Sequence, residues 1–205
     1  MSSAARGPLV ITEVASKADL TRFIQIPMTL NAADPAWIAP LISERQAALT
    51  PKSNPFFDHA EVQMWIASRD GRDVGRISAQ IDALSPTDPQ APAGNFGMIA
   101  AEDDAEVFAK LLETAEAWLK ARGCVSAVGP FNLSINEEVG LLVDGFDTPP
   151  MVMMGHDPRY TGPQIEAQGH AKAQDAYAYP SKMRDDLHPA VLPRAPRRPA
   201  PAVTP

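Results

Sequence analysis

From Val62 onward apolar and polar positions alternate, with Val62, Met64 and Ile66 set against Gln63 and Trp65, and the pattern resumes at Val74–Ile81 after Asp70-Gly71. Period two marks strands, and Asp-Gly is a preferred two-residue hairpin turn, so an antiparallel hairpin is expected here. Gly94–Ala101 reads as a third strand, after a loop over 82–93 that holds three prolines. The spacing then changes to that of a helix: Val107, Phe108, Leu111, Leu112, Ala115, Trp118 and Leu119 form one apolar face, Asp103 and Glu106 read as a capping box, and Gly123 stands where a helix ends. Cys124–Val128 follows as a short buried strand. A strand, a long helix and a strand make a crossover unit, so this last pair is expected to be parallel and the sheet mixed.

The first sixty residues give an apolar run at Leu9–Val14 and a helix capped by Ser16, with Leu20, Phe23 and Ile24 on one side, which Pro27 ends or kinks. A turn-rich link, 31–40, leads to a second helical piece from Leu41 to Leu49, and Asn54-Pro55-Phe56-Phe57 reads as a turn that anchors two aromatics. Near the end, a short helix is expected around Pro163–Gln168 and a weakly alternating strand over Ala171–Tyr179.

Composition places these elements in one domain over 9–180, with an unstructured start over 1–8. The tail, 181–205, is rich in proline and arginine and has too little apolar surface to order itself. Residues 1–181 carry 13 basic and 23 acidic side chains, a balance that disfavours nucleic acid as a partner. No stretch is apolar for long enough to span a membrane, and no secretory leader is visible, so a cytoplasmic protein is expected. One cysteine and four scattered histidines provide neither a disulfide nor a metal-ligand spacing.

Glu137 and Glu138 are candidates for a general base toward an amine, because a half-buried carboxylate can have its pKa raised toward neutrality. The competing reading is two solvated loop acids. Glu137–Leu141 also matches the last five positions of the Nudix box, in which acids hold Mg²⁺ on a diphosphate, but the upstream positions of that box do not match. His59 beside Asp58 is disfavoured as a pair, since neighbours on an extended chain point apart. Cys124 reads as an inert core thiol and Met151, Met153 and Met154 as a soft apolar patch, more often core than pocket. His156-Asp157-Pro158-Arg159 reads as a turn. Arg76 is expected to find a cross-strand partner, an acidic ligand being the alternative.

The order of elements, together with the hairpin Trp65–Ala79, the strand-to-helix unit Phe96–Gly123 and the final Gly169-His170, resembles the GNAT superfamily of acyl-CoA-dependent N-acetyltransferases. It is most similar to a bacterial subgroup carrying Asn54–His59, Gly75-Arg76-Ile77, Gly129-Pro130, Asn136–Gly140 and Gly145-Phe146. The resemblance implies an α+β fold, with a mixed, mainly antiparallel sheet between helix layers. It implies an acyl-CoA lying along the backbone of Phe96, Met98, Ile99 and Ala101, with its pyrophosphate at the turn holding Asp103 and Asp104. It further implies a small-molecule or peptide amine as acceptor and a second GNAT-like domain in longer relatives.

Two positions depart from the family pattern. The turn 100–106 has no glycine and four carboxylates, and a carboxylate about 8 Å from a phosphate opposes binding by roughly 2 kcal/mol at an effective dielectric of about 20. Ile165 occupies the place of the family's general-acid tyrosine, leaving Tyr160 as the candidate on that segment. Three readings follow: an acyl-CoA-dependent N-acyltransferase, a non-catalytic module of the same fold for binding or domain packing, and, third, a nucleotide pyrophosphohydrolase.

Overall fold

The computed structural model describes residues 6–86 and 88–178. Elements follow in the order β1 (Val10–Glu13), α1 (Lys17–Leu30), α2 (Ile42–Ala48), β2 (Ala60–Arg69), β3 (Arg72–Asp82), β4 (Ala93–Ala101), α3 (Ala105–Ala121), β5 (Ser126–Val128) and α4 (Thr161–Glu166), with a 3-10 turn at Pro55–Asp58 before β2. The five strands form one sheet in sequence order. The β1 to β4 pairings are antiparallel and β4–β5 is parallel, as the crossover requires. The hairpin turn has both Asp70 and Gly71 at positive φ, 52° and 75°, the conformation for which Asp-Gly is suited.

Two apolar layers cover the sheet. On one face the stripe of α3, including Val107, Phe108, Leu111 and Leu119, packs with Trp65, Ile77, Phe96 and the α4 residue Ile165. On the other, Phe23, Ile24 and Ile26 of α1 and Leu49 after α2 pack against Ile66, Met98 and Leu133, and Phe56 and Phe57 of the 3-10 turn join them. Period two explains how one strand serves both layers: Trp65 and Ala67 of β2 face α3, whereas Ile66 between them faces α1.

Helix α1 runs through Pro27 to Leu30, where Asn31 closes the last turn with its main-chain and side-chain N–H groups on the Pro27 carbonyl, so of the two outcomes open to Pro27 it does not end the helix. Four expectations are corrected. Strand β5 is short and largely exposed rather than buried, with Val128 39% exposed and Val125 before it 69% exposed. Helix α3 is capped by Asp104, whose carboxylate accepts from the Glu106 amide. The helix starts one residue later than a Ser/Thr-type box would need, so Glu106 cannot reach back to the cap, and Asp103 instead accepts from Gln164 at 2.7 Å. No strand forms over 171–178, where alanines with low strand propensity alternate with polar residues. Tyr179, residues 1–5 and the expected tail 181–205 lie outside the described residues. Finally, Met151, Met153 and Met154 are exposed rather than core, with Val152 beside them 92% exposed.

Candidate functional site

The site begins with a break in strand pairing. Arg76 of β3 pairs with Ala100, but Ser78 pairs with Gly97, so β4 carries one extra residue between them. Met98 takes up the bulge at φ 49°. Gly97 is required because the chain after β5 crosses β4 here, and a Cβ at 97 would collide with the Phe131 carbonyl oxygen. The crossing segment donates Phe131 N–H to the Phe96 carbonyl at 2.8 Å and accepts the Met98 N–H on Asn132 Oδ1 at 2.7 Å. Beyond this point the two chains part, and the rest of β4, Met98–Ala101, walls a cleft.

The cleft has a volume of about 140 Å³. Apolar walls come from Ile24, Leu30, Trp37, Ile38, Leu141 and Met154, and its ionisable side chains are Arg45, Arg76, Glu138, His156 and Asp157. These five come from four separate segments of the chain.

Glu138 belongs to a relay that fixes the bulge: Asn132 Nδ2 donates to Glu138 Oε2 at 2.9 Å, Asn132 N–H donates to the Glu138 carbonyl, and Arg45 Nη1 stands 3.9 Å from Glu138 Oε1. Asp157 is far less engaged, with the Leu142 N–H at 3.4 Å from its Oδ2. Burial pushes its carboxyl up to about 6, opposed by that N–H and by the charges of His156 and Arg76 and reinforced by Glu138. His156 itself is held by Asp34 across 3.0 Å.

Arg76 has no cross-strand acid, contrary to expectation. Its Nη1 donates to the Phe23 carbonyl at 2.9 Å, and its guanidinium stands over the Phe23 ring, 4.8 Å from the centroid. That carbonyl is free because Pro27, four residues on, has no N–H to give it. Arg76 Nε is buried with no partner, and burial lowers its pKa to about 10.

The sequence-selected residues separate into two groups. Glu138, Met98, Ile99 and Ala101 line the cleft, whereas Glu137, Phe96, Asp103 and Asp104 are not part of its wall. Tyr160 packs edge-on against Phe108 and donates its hydroxyl to the Ala101 carbonyl at 2.8 Å, and burial raises its pKa. The carboxylates of the 100–106 turn are paired: Glu102 with Arg72, Asp104 with Arg6 and Arg69, and Glu106 with Arg69. Burial raises the Asp104 pKa, but Arg69 and the Glu106 N–H outweigh it and hold the carboxyl below the ordinary value. His59 pairs with Asp82 at 2.7 Å, not with its neighbour. Burial raises the Cys124 thiol pKa. Among the described residues no group of three or more His, Cys, Asp or Glu is placed to share a metal ion. No described helix is long and apolar enough to cross a membrane.

Asp157 carries no local signal that could have singled it out, since it sits in what reads as a turn. Arg76 is visible in the sequence only as a strand arginine with an acidic ligand as its alternative partner, and the anchor that Pro27 leaves for it on Phe23 is not visible there.

No family model matches the chain. It is 60% identical over 195 residues to the bacterial ceramide synthase of Caulobacter vibrioides, covering 95% of this chain and 50% of that protein. It is 48% identical over 164 residues to protein YghO of Escherichia coli, covering 80% of this chain and 42% of that one. The chain thus spans about half the length of these curated relatives. Among solved structures, a predicted acetyltransferase with acetyl-CoA from Clostridium acetobutylicum superposes with a TM-score of 0.53 at 11% identity, over 84% of this chain and 96% of that one. The five-strand, mostly antiparallel sheet between helix layers matches such structures, and the chain has the fold of the GNAT superfamily of N-acetyltransferases.

Proposed function

We propose that this chain is part of an amide-forming N-acyltransferase that transfers an acyl group from acyl-CoA to the amine of a long-chain amino alcohol, as the name of the Caulobacter relative suggests. The observation that carries this reading is the convergence, beside the β4 bulge, of a weakly engaged carboxylate with a raised pKa and a desolvated guanidinium. The thioester carbonyl lies by Met98–Ala101. The amine nitrogen bonds to the carbonyl carbon, the C–S bond breaks and the CoA thiolate leaves, while the proton lost by the amine passes to the Asp157 carboxylate. Glu138 holds Asn132, and through it the bulge, in place. Three of the four carboxylates of the 100–106 turn are ion-paired, which reduces the negative charge facing a phosphate, while Asp103 bonds only the neutral Gln164.

One observation favours the second reading, a non-catalytic module. The Asp104 N–H is given to the Glu102 carbonyl and the Glu106 N–H to the Asp104 side chain, so these donors are closed to a pyrophosphate. Thiol release from palmitoyl-CoA by the purified chain, with sphinganine as acceptor and mass spectrometry of the amide, decides between the two. Acceptor-dependent release supports transfer; a chain that neither releases thiol nor is stabilised by CoA is a module.

A further inference from the structure

A cation held partly out of water, as the half-buried Arg76 is, normally has a carboxylate in contact, because removing a charge from water without compensation is costly. Among the described residues Arg76 has none: Glu138 and Asp157 act on it only at longer range, and its direct partner is the neutral Phe23 carbonyl. Its Nε has no partner at all. The other donor beside the bulge, the Met98 N–H, is already taken by Asn132. Pro27 contributes to this arrangement, since the carbonyl it leaves unbonded is what fixes the guanidinium at the cleft. The cleft that Arg76 lines also offers the aliphatic side chains Ile24, Leu30, Leu49 and Leu141, alongside the carboxylates Glu138 and Asp157 and a second guanidinium, Arg45.

We infer that Arg76 is the oxygen-binding group of the cleft, receiving the negatively charged or charge-developing oxygen at the carbonyl end of an alkyl chain while the apolar walls take its first carbons. Given the acyl-transfer reading, on which the identity of the ligand rests, that oxygen is the thioester carbonyl, which becomes negative as the amine adds. The chemistry asks for an oxyanion joined directly to an alkyl chain. A phosphate head group would present the same charge without the adjoining carbons.

Calorimetric titration of sodium octanoate into the chain tests this without requiring turnover, with inorganic phosphate and octan-1-ol as the other arms. Arg76→Met alone leaves the Phe23 carbonyl unbonded, so the test variant is Pro27→Ala/Arg76→Met, in which alanine returns the helical N–H to that carbonyl. Octanoate is expected to bind wild type most tightly, Pro27→Ala and Arg76→Lys at an intermediate level because the Phe23 carbonyl then no longer fixes a guanidinium, and the double variant at least tenfold more weakly than Pro27→Ala. Octan-1-ol is expected to bind all four proteins with the same affinity. Octanoate binding that is equal in the double variant, or absent from wild type, overturns the inference, as does phosphate binding through Arg76 where octanoate does not bind. Arg76-dependent octanoate binding by a chain that releases no thiol leaves the oxygen site standing and removes the acyl-transfer reading.

Discussion

Two carboxylates line the cleft, and their surroundings assign them different work. Glu138 has one oxygen on Asn132 and the other toward Arg45, so its lone pairs are committed to holding the bulge. Asp157 has one long contact and a pKa of about 6, which suits proton transfer near neutrality. Asp157→Asn is expected to lower kcat by about 10²–10⁴-fold, and the rise in wild-type activity with pH, centred near 6, is expected to vanish in the variant. Glu138→Gln keeps a side chain that Asn132 can bond and is expected to retain that pH limb; kinetics from pH 5 to 8 compare the two.

The same group has a consequence for stability. The unfolded chain releases the Asp157 proton near 3.8 and the folded chain near 6. The folded state therefore holds a proton that the unfolded state has lost, and stability falls as pH rises between those values and is level above them. Asp157→Asn removes that slope, so above pH 6 the variant is expected to be more stable than wild type by up to about 3 kcal/mol, with little difference at pH 4. Urea unfolding at pH 4 and pH 7 measures this directly. A variant that is inactive and more stable is what a carboxylate kept for chemistry predicts.

At the level of elements, the sequence was informative wherever the cause is local. The Asp70-Gly71 turn, the apolar stripe of α3 and the Ser16 cap of α1, where Asp19 completes a capping box, depend on residues within a few positions of one another. The misses occur where a distant partner decides. The local sequence leaves open whether Pro27 ends or kinks α1, and the carbonyl it orphans is taken by Arg76, 49 positions later. The α3 cap shifts to Asp104, whose carboxylate is held by Arg69 from β2. Asp157 was not legible as a site residue for the same reason, and Arg76 was legible only as a strand arginine with an acidic ligand as the second choice: each has an ordinary local context, and the cleft is assembled from separate segments.

Two glycines allow these packing statements to be checked in one experiment. Gly97→Ala drives a methyl into the Phe131 carbonyl, backbone against backbone, and is expected to cost about 3 kcal/mol. Gly162, inside α4, has nothing beyond its chain neighbours near the place of its missing Cβ, but it precedes Pro163, whose ring crowds a helical side chain there, so Gly162→Ala is expected to gain little or nothing. The denaturant midpoint should fall far more for Gly97→Ala than it changes for Gly162→Ala.

On the scale of the whole molecule, the size of the cleft bears on the substrate. A volume of about 140 Å³ is well below the roughly 300–1,000 Å³ of sites that enclose a drug-sized ligand, so only the reacting end of a long amphiphile fits inside. The rest must run outward, and the walls at the mouth, Ile38 and Met154, are 58% and 37% exposed, leaving apolar surface free to receive it. Each methylene moved from water onto such surface gains at most about 0.8 kcal/mol when fully buried, and less at an open rim. In the acyl-transfer reading, kcat/KM should therefore rise with acyl-chain length beyond the first few carbons, with a gain per methylene below the roughly fourfold that full burial gives. Ile38→Ser should reduce that gain for long chains and affect acetyl-CoA least, because an acetyl group ends before it reaches the rim. Thiol-release rates across acetyl-, octanoyl- and palmitoyl-CoA, in wild type and Ile38→Ser, measure both slopes. A rate independent of chain length would show that the alkyl chain leaves the cleft by another route.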